Sequence, residues 1–107
     1  MVLGTQYDTF TVGNESTMFT LSVSGFNGSV TGDAMNYHNG LKFSTKDRDN
    51  DVWSSTHCAQ YHGGGFWYNS CFHCGVNVAG GDFRWYHKSD WSAYESLRTS
   101  RMWLVCR

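Results

Sequence analysis

A chain of 107 residues carrying eight Lys and Arg against nine Asp and Glu is long enough for one domain with a modest core of its own. Its near-neutral charge gives no electrostatic case for nucleic acid, because the basic residues are scattered and do not alternate with the aromatics. Apolar runs end after a few residues, well short of the roughly 20 that cross a bilayer, so no membrane insertion is expected.

The opening MVLGTQYD has no charged head followed by an apolar stretch, so no signal peptide is visible. With this cysteine pattern, that absence points to a processed or excised segment. Aromatic residues at 17%, twelve glycines and no proline favour strands and irregular loops. Aromatic and β-branched side chains suit a pleated surface, whereas glycine interrupts helical runs.

In chain order, Tyr7 to Val12 alternates, Gly13-Asn14-Glu15 turns, and Thr17 to Ser24 alternates again. This predicts a β-hairpin with Phe19, Leu21 and Val23 on one face. Gly25 to Asp33 reads as loop, and Ala34 to Gly40 is short and ambiguous. Leu41 to Ser44 begins a further strand, whose Phe43 anchors the acidic loop to the core. Residues 47–81 show no sustained period. So long a segment is usually functional or disordered, and Trp53, Tyr61, Phe66, Trp67, Tyr68 and Phe72 are too apolar for disorder. Strand-like spacing returns from Phe83 to Val105. Two triplets, Asn14-Glu15-Ser16 and Asn27-Gly28-Ser29, fit N-glycosylation and lean toward the secretory route.

Asp47, Asp49 and Asp51 stand two residues apart, where carboxylates repel one another unless a hard cation such as calcium lies among them. The run opens like an EF-hand loop, yet Val52 and Cys58 occupy the places of its glycine and its glutamate, and no helix is predicted on either side. A solvated acidic turn, helped by Lys46 and Arg48, is the alternative. Cys58, Cys71, Cys74 and Cys106 leave disulfides or metal. Cys71-x-x-Cys74 with His57, Cys58, His62 and His73 has zinc-type spacing.

The stretches KFSTKDRDND and CA…GGGFWYNSC, with YDTF, FTLSVSG and GDAM upstream, resemble the fibrinogen-related domain of ficolins, tachylectins, tenascins, angiopoietins and fibrinogen chains. The likeness covers almost the whole chain but only the later half of that domain. It implies an α+β fold, mostly antiparallel β with long ordered loops, stabilised by disulfides and calcium: a β region at 5–46, a calcium loop and binding-pocket region at 47–82, and closing strands at 83–107. Because the earlier half supplies strands and a helix in the family, exposed apolar surface and self-association into a homo-oligomer are expected.

The resemblance also implies a Cys58–Cys71 bridge, which leaves Cys74 to pair with Cys106. Carried over, the calcium ligands are the side chains of Asp49 and Asp51 with the carbonyls of Trp53 and Ser55. The ligand pocket lies against a cis Ser70–Cys71 bond, where the N–H groups of Cys71 and Phe72 would face a ligand oxygen and His62 and Trp91 would form walls. Here Phe72 and then His73 stand where the family often has His directly after the cysteine. Ala79 falls where acetyl-binding members carry an aromatic wall.

The expected function is a secreted, calcium-dependent, lectin-like module for acetylated or sialylated glycans in innate immunity. The alternative is an extracellular protein–protein module of matrix or receptor-ligand type. No nucleophile–histidine–carboxylate spacing, phosphate loop or H-E-x-x-H motif assigns the chain an enzymatic task.

Overall fold

The structure is a computed structural model that describes residues 4–28, 32–72, 74–75, 77, 83–87, 90–97 and 100–102. The predicted hairpin is present. β1 (Thr5–Val12) and β2 (Leu21–Gly28) pair antiparallel, with Phe10 opposite Val23 and Val12 opposite Leu21. Alternation along β2 turns Leu21 and Val23 inward, at 0% and 4% exposure, and full burial of such a side chain stabilises by about 1.5–3 kcal/mol.

Phe19 departs from the expectation. A 3-10 turn at Glu15–Thr17 is followed by Met18 and Phe19, both at positive φ (54° and 57°), so β2 starts only at Leu21. The Trp67 indole N–H donates to the Phe19 carbonyl at 2.8 Å, and the Phe43 N–H donates to that of Met18 at 3.0 Å. These bonds hold a backbone conformation that non-glycine residues seldom adopt. At its other end β2 runs on to Gly28, into the stretch read as loop. Gly25 permits this at φ 74°, with its missing Cβ leaving room for the Asp8 side chain.

The ambiguous segment is a 3-10 helix, Ala34–His38, capped by Asp33, whose carboxylate accepts from Asn36 N at 3.2 Å and from the Tyr7 hydroxyl at 2.6 Å. Burial, with Asp33 adding to it, raises the Tyr7 phenol above its ordinary range. The strand expected from Leu41 reduces to one bridge between Ser44 and Phe66.

Within 47–81 there is one short helix among the described residues, α1 (Cys58–His62), stopped by Gly63 at φ 83°. A two-residue strand, β3 (Cys74–Gly75), then pairs with β4 (Phe83–His87), and β4 pairs with β5 (Asp90–Leu97), both antiparallel. Met102 lies outside any strand, and the residues beyond it are outside the described set.

One core joins the two sheets. Leu21 and Val23 from the first, Ala34 and Met35 from the 3-10 helix, Cys58 and Ala59 from α1, Phe66 and Tyr68 from the glycine-rich loop, and Cys74 and Trp85 from the second sheet pack together. The Trp85 indole N–H donates to the Gly32 carbonyl at 2.8 Å, which satisfies the polar edge of a ring that is 7% exposed.

Candidate functional site

The acidic run is an ordered turn held from several sides. Thr45 and Arg48 exchange backbone hydrogen bonds, and the Thr45 hydroxyl donates to Asp47 at 2.6 Å, which keeps that carboxyl below its usual range. Asn50 fastens the turn to the core: its N–H donates to the buried Ser44 hydroxyl and its carboxamide to the Phe43 carbonyl, each at 2.9 Å. The Thr45 carbonyl also accepts from His57 Nε2 at 2.8 Å. Sequence reasoning gave Asn50 and His57 no such part, because side chains that meet backbone groups leave no spacing signature.

Asp51 uses both carboxylate oxygens. Oδ1 accepts from Trp53 N at 2.9 Å and Oδ2 from Cys58 N at 2.8 Å, so it closes the turn and caps the entry to α1. Asp49 accepts from Asp51 N at 3.2 Å. Burial, opposed by the Cys58 amide and reinforced by the neighbouring Asp49 carboxyl, raises Asp51 above its ordinary value. Two carboxylates in one turn, followed by the carbonyls of Trp53 and Ser55, are oxygen donors of the kind calcium takes. Among the described residues no three His, Cys, Asp or Glu side chains converge. Backbone and water oxygens would therefore have to complete a calcium shell, and no zinc cluster is formed among these residues.

At the far end of the loop, Cys58 and Cys71 are bridged, and the Ser70–Cys71 peptide is cis. Asn69 secures the corner: its N–H donates to the Cys71 carbonyl and its carboxamide to the Tyr37 carbonyl, both at 2.9 Å, while its own carbonyl accepts from Val52 N at 3.2 Å. Buried His38 closes the floor, its Nδ1 2.9 Å from the Trp67 carbonyl and its ring edge-on to Phe66 at 4.9 Å. Tyr68 is 1% exposed and donates to the Gly64 carbonyl at 2.6 Å. Burial pushes its phenol up to about 12.

The pocket residues proposed from the sequence come together in part. Cys71 is buried; Phe72 lies edge-on to His62 at 4.6 Å, and His62 stacks over Tyr68 at 6.2 Å. Phe72 also folds onto Gly75, where an added Cβ would lie 2.5 Å from its ring. The rings thus pack on one another above the disulfide. Burial first, and then the positive Arg84, hold the His62 imidazole below its ordinary 6.5, so it is neutral at pH 7.

Trp91 belongs to β5, but its side chain, together with His73 and Ala79, lies outside the described residues. Cys74 corrects an expectation. It is a buried free thiol with Sγ 3.2 Å from Met35 Sδ, so the bridge to Cys106 is not made; Cys106 itself lies outside the described residues. Burial raises this thiol well above its usual range.

A cleft of about 200 Å³ opens elsewhere, between Met18, Phe19, Phe43, Thr45, Asp47, Arg48 and Asn50. It shares no residue with the corner around Cys71.

A disulfide-closed aromatic loop with a cis corner is thus set behind a braced acidic turn and flanked by antiparallel strands. The family described as fibrinogen beta and gamma chains, C-terminal globular domain, matches residues 2–104, and the chain belongs to that family.

It is 40% identical over 95 residues to tenascin-R of Gallus gallus, covering 83% of this chain and 7% of that protein. To human angiopoietin-related protein 7 it is 43% identical over 72 residues, covering 67% of this chain and 20% of that one. It superposes on the fibrinogen-like globe domain of human ANGPTL6 with a TM-score of 0.70 at 32% identity, covering 94% of this chain and 51% of that one. With the lamprey fibrin D-dimer, solved with the peptide Gly-His-Arg-Pro-amide, the TM-score is 0.63 at 31% identity, over 75% of this chain and 30% of that one. The chain thus spans about half of the solved globe domain and a small fraction of the curated relatives it matches.

Proposed function

We propose that the chain is the loop-bearing part of an extracellular domain that recognises a protein partner, as a module of tenascin or angiopoietin type. The observation that carries this reading is the identity of about two residues in five with tenascin-R across 83% of the chain. The packing at the corner supports it: Phe72 fills the space between His62 and Gly75, so these rings close on one another instead of lining an open apolar recess of the kind small ligands occupy. The lamprey domain was solved with a peptide bound, a ligand of the same chemical kind. Binding of acetylated or sialylated glycans is the finer expectation that this reading displaces.

Calcium has a structural part in the proposal. Asp49 and Asp51 would supply carboxylate oxygens, and Trp53 and Ser55 carbonyl oxygens. The bound ion would offset the repulsion between the two carboxylates and fix the turn that leads into α1.

The test is a pair of binding measurements in calcium. On a glycan array that includes N-acetylglucosamine and sialylated structures, the chain is expected to be silent. On intact cells or extracellular matrix it is expected to bind saturably, with the signal lost after protease treatment of the surface. Array binding competed by free N-acetylglucosamine would overturn the reading.

A further inference from the structure

Asn14 and Ser16 hold the first and third places of an N-glycosylation triplet, and the recognition surface around the cis corner uses neither. Folding places the triplet outside: residues 14–16 are all exposed, in the connection between β1 and β2. The turn is anchored through the backbone carbonyl of Asn14. It accepts from Thr17 N at 3.1 Å, from Phe19 N at 3.0 Å and from Thr17 Oγ1 at 2.8 Å.

The Asn14 carboxamide takes no part in that anchoring and makes no capping bond. Its Oδ1 accepts from the Ser16 hydroxyl at 2.5 Å, and no described residue bonds its Nδ2. A substituent on Nδ2 therefore displaces no hydrogen bond among the described residues. The hydroxyl contact spans two positions, so it needs no tertiary structure to form. It draws density from the amide and eases loss of the Nδ2 proton.

We infer that Asn14 is an N-glycosylation site. The transfer joins C1 of the reducing-end sugar to Asn14 Nδ2. The bond from C1 to the oxygen of a polyprenyl-diphosphate carrier breaks, the carrier leaves with the electron pair, and Nδ2 gives up one proton. The inference rests on the extracellular reading, since that sugar donor serves chains on the secretory route. The turn leads directly into Met18 and Phe19, which are 39% and 43% exposed. The first sugars on Asn14 stand beside these side chains and cover part of them.

The test is secretion of the chain from cultured animal cells behind a supplied leader peptide, then peptide-N-glycosidase digestion and mass spectrometry of the Asn14 peptide. The wild-type chain is expected to show the Asn-to-Asp conversion at Asn14. Asn14→Gln and Ser16→Ala should lose it, and Ser16→Thr should keep it. A secreted Ser16→Thr chain and a secreted wild-type chain that both melt normally, yet carry Asn14 unmodified, would overturn the inference and leave the extracellular reading standing. Finding the native chain confined to the interior of its source cells would overturn the extracellular reading instead.

Discussion

His62 binds fewer protons in the fold than in the open chain, because burial and Arg84 both disfavour the imidazolium. Its contribution to stability is therefore complete above pH 6.5, the ordinary value, and falls as pH drops through the lower folded value. His62→Phe keeps a ring against Phe72 and Tyr68 without a proton site. Its melting temperature should fall less than that of the parent between about pH 7 and pH 5, and an equal fall would mean that His62 does not carry the pH dependence.

Asp49 makes a second prediction at this scale. Calcium should raise the melting temperature, and Asp49→Ala should lose most of that increment while keeping the metal-free value; scanning calorimetry with and without chelator decides. Alternation and charge alone single out Asp47, Asp49 and Asp51, and only the family resemblance picks Asp49 and Asp51 from the three. The brace from Asp51 to the Trp53 and Cys58 amides was not legible, since it depends on the path of the turn between them. The same holds for His38, whose partners are a carbonyl and a ring far along the chain.

Among the elements, the β1–β2 hairpin was readable because each strand alternates apolar and polar side chains. Its turn was not: Met18 and Phe19 alternate on paper like strand residues, but Trp67 and Phe43 bind their carbonyls and hold them in the left-handed region. α1 is five residues long, too short to show a helical period, and glycines follow it directly. β3, at two residues, exists only because β4 lies beside it.

The Cys58–Cys71 bridge was expected from family resemblance and is present, with its cysteines 13 positions apart. Closing a loop of that size should stabilise by about 3 kcal/mol on the chain-entropy account. The paired substitution Cys58→Ser and Cys71→Ser should lower the urea midpoint by the equivalent of that amount. A shift of a few tenths of a kcal/mol would mean that the open loop stays ordered without its bridge.

At the scale of the molecule, two small sheets share one core to which strands, the short helices and the glycine-rich loop all contribute. Among the described residues, the apolar side chains left outside it include Met18 with Phe19, and Val52 at 57% exposure with Trp53 and Tyr61, whose rings are 6.3 Å apart. Contiguous apolar surface of this sort promotes association. Carbohydrate-free protein should sediment faster as its concentration rises, and Tyr61→Ser, at a position 71% exposed, should weaken that trend without altering the melt. Family membership was legible because the acidic run and the disulfide loop are dense in unusual residues. The ligand was not, because the packing of Phe72 on His62 and Gly75 depends on the folded path of the loop, which no spacing shows.

Asp51 grips the amide of Cys58, and Cys58 is tied through sulfur to Cys71. One carboxylate thus joins the acidic turn to the cis corner in a single covalent and hydrogen-bonded path. The two cannot drift independently over generations. A substitution that moves the Asp51 carboxylate also releases the Cys58 amide, so the acidic turn and the bridged corner are expected to vary together.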